Sequence, residues 1–164
     1  MKDFDWTSFT KRIAVKASLT DVYAAWTRSA EIEKWFLEKA DFYNPEGDLL
    51  GVNESISKGC SYKWYWFLYP DFMPGTILDA NGTDFIQFTF EGECIVDVKL
   101  AAQSGYTIIE LTQRNIPTDD NSKKNVRLGC SNGWAFYLTN LKSVYEGGVD
   151  LRNKDENLTA MINN

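Results

Sequence analysis

The last apolar run of the chain constrains its fold more than any other feature. Between Val126 and Tyr145, the residues Trp134, Leu138, Leu141 and Tyr145 recur at i, i+4, i+7 and i+11, which places them on one face of a helix. Gly147-Gly148 follows where a left-handed C-terminal cap forms. A helix over residues 125–146, rising about 1.5 Å per residue, spans about 30 Å and must have its aromatic stripe covered. The sequence before it offers mainly strands. The reading is therefore α+β, a curved antiparallel sheet wrapped around one long C-terminal helix.

The period of the apolar residues supplies the remaining elements. Ile13, Val15 and Ala17 alternate within a strand over residues 9–17. Ser18 and Asp21 have capping-box spacing before the helical face Val22, Ala25 and Trp26, and Ser29 is placed to cap a second short helix carrying Ile32, Trp35 and Phe36. A strand near residues 39–43 precedes a loop rich in Asn, Pro, Glu, Gly and Ser over 44–59. Strands are then expected at 61–69, 75–80, 83–90, 93–101 and 106–115. Asn81-Gly82 reads as a two-residue hairpin, with Glu91-Gly92 and Ser104-Gly105 marking the next turns. Ile86, Phe88 and Phe90 share a face with Cys94, Val96, Val98 and Leu100 only if the turn at Gly92 contains three residues. Thr107, Ile109, Leu111 and Gln113 form the inward set of the last strand. Residues 1–151 read as one domain, and the polar tail 152–164 is expected to fray.

Charge and residue types narrow the chemistry. The net charge of −6 opposes nonspecific binding to nucleic-acid phosphates or anionic membrane surfaces. No apolar run is long enough to span a bilayer and the N-terminus lacks a signal-peptide core, so the expected location is cytoplasmic. Cys60, Cys94 and Cys130 lack metal or redox spacing and read as free thiols. The chain has no histidine, which removes Ser-His-Asp, Cys-His and His-liganded metal sites. Gly129-Cys130-Ser131-Asn132-Gly133 matches the G-x-S-x-G pattern but lacks both the strand-to-helix elbow and the histidine that give it meaning. Its small residues instead bring the helix close to the sheet or leave room for a ligand. Asp97 and Glu110 fall on the outer face by parity, so no catalytic, cofactor or metal site is expected.

The segments Val22-Tyr23-Ala24-Ala25-Trp26, Glu33-Lys34-Trp35-Phe36, Tyr62-Lys63-Trp64-Tyr65-Trp66, Gly75-Thr76-Ile77-Leu78 and Phe88-Thr89-Phe90 carry a resemblance. So do Thr107 to Gln113 and Gly133-Trp134 through Asn140-Leu141-Lys142, with Gly-Trp at the helix opening as the most specific element. Over residues 9–150 the chain resembles the helix-grip fold of the START-like (SRPBCC) superfamily, and within it the activator of Hsp90 ATPase homologue-like domains. The resemblance implies an apolar cavity between sheet and helix, used for hydrophobic ligands or for protein interaction, and few shared catalytic residues.

On this basis Trp35, Phe36, Trp64, Trp66, Phe88, Phe90, Leu111, Trp134 and Leu138 are candidate ligand-binding residues, alternatively core filling. Gln113, inward and polar, is the candidate for orienting a ligand, with a structural hydrogen bond as the other reading. Tyr65, Phe67 and Tyr69 have the opposite parity and make the outer face aromatic as well, which suggests a covering partner; a homodimer is the simplest. Three functions stand side by side: a binding protein for an apolar small molecule, a chaperone-associated interaction module, and a cyclase- or hydrolase-type enzyme, the last disfavoured by the missing histidine.

Overall fold

In the computed structural model, which describes residues 3–164, the first and last strands of the chain are neighbours. Strand β1 (Phe9–Val15) pairs antiparallel with β7 (Tyr106–Arg114), Phe9 lying opposite Gln113 and Val15 opposite Thr107. Between them come α1 (Leu19–Thr27), α2 (Ser29–Ile32), β2 (Lys39–Tyr43), β3 (Ser61–Tyr65), β4 (Phe72–Ala80), β5 (Phe85–Phe90) and β6 (Cys94–Gln103). The seven strands form one antiparallel sheet in the order β1-β7-β6-β5-β4-β3-β2. The long helix α3 (Gly129–Tyr145) is entered through a π-helical run, Ser122–Leu128.

Local chemistry explains most boundaries. The Ser18 hydroxyl accepts from the Asp21 amide at 3.1 Å and caps α1. Phe90 faces Cys94 across a three-residue turn, so Ile86–Val98 and Phe88–Val96 pair on the inner face as the parity requires. Thr107, Ile109, Leu111 and Gln113 are all buried. The Thr107 hydroxyl donates to the Ala17 carbonyl at 2.8 Å, which accounts for a polar group on the inner face. At the far end of α3, Gly147 adopts φ 80°, its amide reaching Val144 and the Gly148 amide reaching Ser143, the paired bonds of a Schellman cap. Lys142 donates to the Ala14 carbonyl at 2.8 Å and ties this end of the helix to β1.

Several expectations are corrected. Ser29 caps nothing: Arg28 precedes α2, and Ser29 is buried within its single turn. Asn81-Gly82 is not a two-residue turn, because the Asn81 side-chain oxygen accepts from the amides of Thr83, Asp84 and Phe85, closing a four-residue loop. Ser104-Gly105 is the two-residue turn, both residues having positive φ as a type I′ hairpin requires. Strand β3 ends at Tyr65 rather than residue 69, since Tyr65 pairs with Phe72 and the chain between them turns back through Leu68 at φ 64°. The C-terminal helical segment begins directly after Asp119, which accepts from both the amide and the hydroxyl of Ser122, so Gly133-Trp134 lies inside α3 rather than at its opening.

The tail is fastened to the fold at its start, while most of the residues after Arg152 are exposed. Arg152 is buried, its guanidinium donating to the Leu37 and Glu33 carbonyls at 2.9 Å each and pairing with Asp150 at 2.8 Å. Asn140, fully buried on α3, donates to the Trp35 carbonyl and to Asp150, and accepts from the Leu151 amide at 2.7 Å. This network fastens helix, tail and the residues after α2 to one another.

Candidate functional site

The inner face of the sheet and the facing stripe of α3 meet in a network of aromatic rings. Trp35 packs edge-on to Trp26 at 4.8 Å and stacks on Phe36 at 5.2 Å, and Phe36 stacks on Trp134 at 5.0 Å. Across the gap, Trp64 lies on Tyr62 at 3.8 Å and against Phe88 at 5.2 Å. Trp35, Trp64, Phe88, Leu111, Gln113 and Leu138 are all buried in this packing. The Trp35 indole donates to the Ala25 carbonyl at 2.9 Å, and the Trp134 indole donates to the Gln113 side-chain oxygen at 3.0 Å. Gln113 therefore has a structural partner on one end, while its buried amide nitrogen has none.

The packing opens on one side into a cavity of about 500 Å3, within the size range of small-molecule sites. Of the residues named from sequence, Phe36, Trp66, Phe90 and Trp134 line it. The other six, Trp35, Trp64, Phe88, Leu111, Gln113 and Leu138, sit in the surrounding core and do not line it. From α3 come Gly129, Cys130, Gly133 and Tyr137, and a Cβ added at Gly133 would meet no atom within 4 Å. Gly129 and Gly133 thus leave room beside the rings, whereas Ser131 does not reach the cavity. The mouth is shaped by Phe72 and Met73 of β4 and by Met161 and Ile162 of the tail. Sequence reasoning missed these four. The pair Met161-Ile162 was a signal, being adjacent apolar residues in a polar tail, but only the fold brings that tail to the cavity.

The cavity's electrostatics come from Glu91, in the β5–β6 turn, and Asp71, before β4. Burial raises the Glu91 carboxyl above its ordinary range. Burial, reinforced by the Glu91 charge, pushes the Cys130 thiol up to about 12, and burial also raises the Tyr137 hydroxyl. The Cys130 thiol and the Tyr137 hydroxyl stay protonated at neutral pH, the wrong state for a nucleophile. The G-x-S-x-G pattern forms the first turns of α3 rather than a strand-to-helix elbow. Asp97 accepts from Gln87 at 2.7 Å and Arg114 at 2.9 Å, and Glu110 faces Arg12 at 3.3 Å, all on the outer face. Among the described residues no group of His, Cys, Asp or Glu is arranged to hold a metal ion.

Tyr65, Phe67 and Tyr69 do not share one outer face, because the strand ends at Tyr65. Tyr65 packs on Phe72 at 5.5 Å with the Lys39 ammonium over its ring, and Phe67 lies under Arg152 at 5.1 Å and Lys154 at 4.8 Å. Only Tyr69 projects, 64% exposed, at the cavity mouth.

A seven-stranded antiparallel sheet gripping one long helix, with two short helices inserted after its first strand, defines what the chain can be compared with. The family described as activator of Hsp90 ATPase homolog 1-like protein matches residues 16–146. The chain belongs to this family. Solved structures similar to this AHSA1-family chain include the protein SSP2350 from Staphylococcus saprophyticus, with a TM-score of 0.70 at 18% identity, covering 88% of this chain and 96% of that one. The Aha1 dimer from Colwellia psychrerythraea has a TM-score of 0.65 at 19% identity, covering 86% and 97%. PFC0360w, described as an HSP90 activator from Plasmodium falciparum, has a TM-score of 0.60 at 18% identity, covering 84% and 95%. At these identities the likeness is one of fold. No curated protein matches the AHSA1-family chain in sequence.

Proposed function

We propose that this protein binds an apolar small molecule in the cavity between sheet and α3, without turning it over. The supporting observation is the cavity itself, about 500 Å3 in size, with the rings of Phe36, Trp66, Phe90 and Trp134 on its walls and open space at Gly133. A compartment walled largely by aromatic rings gains affinity from burying ligand surface, and its thiol and phenol, Cys130 and Tyr137, stay protonated near neutral pH and so are not activated as nucleophiles. Thermal-shift screening of hydrophobic ligands tests this, because a ligand at one hundred times its dissociation constant stabilises the fold by about 2.7 kcal/mol. A hit should quench Trp66 or Trp134 fluorescence, and G133L, which places a side chain in the open space, should abolish binding while the melting transition remains cooperative. Retained affinity in G133L would put the ligand elsewhere.

A second reading, a chaperone-associated interaction module, is supported by the family's description and by the likeness to a protein described as an HSP90 activator. Exposed Tyr69 and Phe72 offer a ring-bearing surface for such a partner or for a second copy of the chain, the latter in keeping with the similar fold of the Aha1 dimer. Stimulation of Hsp90 ATPase, reduced by Y69A, would favour that role. Light scattering at the mass of an 18.8 kDa monomer at high concentration would remove the homodimer.

A further inference from the structure

Resting on the reading of the cavity as a ligand site, we infer that its ligand is a hydrophobic organic cation, an amine or quaternary ammonium carried on an apolar body. The described lining contains two carboxylates, Glu91 and Asp71, and no lysine or arginine. Among the described residues neither carboxylate takes part in an ion pair. Some acidic groups of the fold do have cations, Asp97 with Arg114, Asp150 with Arg152 and Lys154, and Glu146 with Lys142, whereas these two border the cavity without one.

Glu91 is held at the cavity by its backbone. It occupies the first position of the three-residue β5–β6 turn at φ 52°, directly after Phe90, whose ring lies 5.1 Å from Trp134 and 6.4 Å from Trp66. The turn thus sets a carboxylate beside the aromatic wall. Burial alone moves its proton affinity, upward, with no hydrogen bond or opposing charge to compensate.

The walls complete the complementarity. Ring faces carry negative potential and attract cations, most strongly where water is excluded, and tryptophan is the best of them. Trp66, Tyr69, Phe72, Phe90 and Tyr137 contribute ring surface around the space left by Gly133. A neutral ligand would use the apolar area but leave the Glu91 carboxylate, at the exposed edge of the cavity, without a countercharge. An anion would meet two carboxylates with no countercharge, which disfavours it. A hydrophobic cation satisfies the rings and the carboxylates together.

The test compares matched ligands by calorimetry and thermal shift on the full chain: benzyltrimethylammonium, its neutral carbon isostere neopentylbenzene, and phenylacetate. The cation should bind about tenfold or more tightly than the isostere, the ratio that cation–ring attraction supplies in a desolvated site, and phenylacetate should bind least. E91Q, a near-isosteric change whose folding is checked by its melting curve, should shrink the cation-to-isostere ratio toward unity, and W66L should shrink it partly. Equal binding of cation and isostere, abolished for both by G133L, would overturn the cation assignment and leave the cavity as an apolar site. Binding of none of the three would overturn the cation assignment, while a hit from the wider hydrophobic screen that G133L removes would still uphold the cavity reading; no such hit would sink both. A cation preference undiminished in both E91Q and W66L would also overturn the assignment.

Discussion

Gly75 shows how a single missing side chain sets the geometry of the sheet. It lies opposite Tyr62, and a Cβ placed there would fall 2.1 Å from the Tyr62 ring. The ring covers the glycine and sends its hydroxyl across to the Thr89 carbonyl, while its other neighbour is Trp64 in the core. G75A should force the ring off this seat and destabilise the fold by about 1–3 kcal/mol, the usual range for overpacking, measurable by urea denaturation. Cys130 gives a second residue-scale expectation. With its thiol pushed up to about 12, chiefly by burial, it should react with iodoacetamide at pH 7.5 far more slowly than an unfolded control. Rapid alkylation of Cys130 in the native state would contradict that environment.

Helix α3 is the element on which the molecule depends, because one face of it serves the core, the cavity and the tail at successive turns. Trp134 stands on the cavity wall, Leu138 and Leu141 fill the core, and Asn140 reaches Trp35 and Asp150. Its own propensity is modest, with two glycines and β-branched Thr139 and Val144 in the run, so packing rather than helix preference holds it. L138A should therefore cost about 2–5 kcal/mol of stability, as large-to-small changes in packed cores do. A loss below about 0.5 kcal/mol, the level of a surface site, would mean that the helix is not packed on the sheet through this face. The bulge between Ile77 and Asp79 helps the sheet curl toward this helix, since an extra residue on one strand bends it and increases its twist.

At the scale of the whole molecule, the tail closes the structure. Asp150 is partly buried, which raises its carboxyl, but hydrogen bonds from Arg152, Lys154 and Asn140 outweigh burial and hold it well below the ordinary carboxylate range. A folded-state value below the unfolded one, about 3.9, means that this stabilisation is whole above that value and is lost as pH falls toward the folded value. Melting temperature should accordingly fall more steeply between pH 5 and pH 2 in the native chain than in D150N. Removing residues 152–164 should lower the melting temperature, because the Glu33 and Leu37 carbonyls lose the Arg152 donors. It should also raise binding of a hydrophobic dye, since Met161 and Ile162 leave the cavity mouth. Unchanged dye binding would mean that the tail does not shield the cavity.

Periodicity determined the elements of this protein, and the fold class with them. Alternating residues on β5, β6 and β7 could be satisfied in only one register, and the stripe from Trp134 to Leu141 demanded a sheet to cover it, so both were legible in local sequence. Resemblance carried the grip fold, and the aromatics near the cavity were named with it. Which of them face open space was decided by tertiary structure alone. Phe36, Trp66, Phe90 and Trp134 share their chemistry with Trp35, Trp64 and Phe88, and no pattern in the sequence distinguishes a ring beside a void from a ring beside another ring. The tail makes the same point in the opposite sense. Its polar composition predicts fraying, yet Arg152 lies 115 residues from the Leu37 carbonyl that holds it, and a long-range hydrogen bond to backbone leaves no mark on local composition.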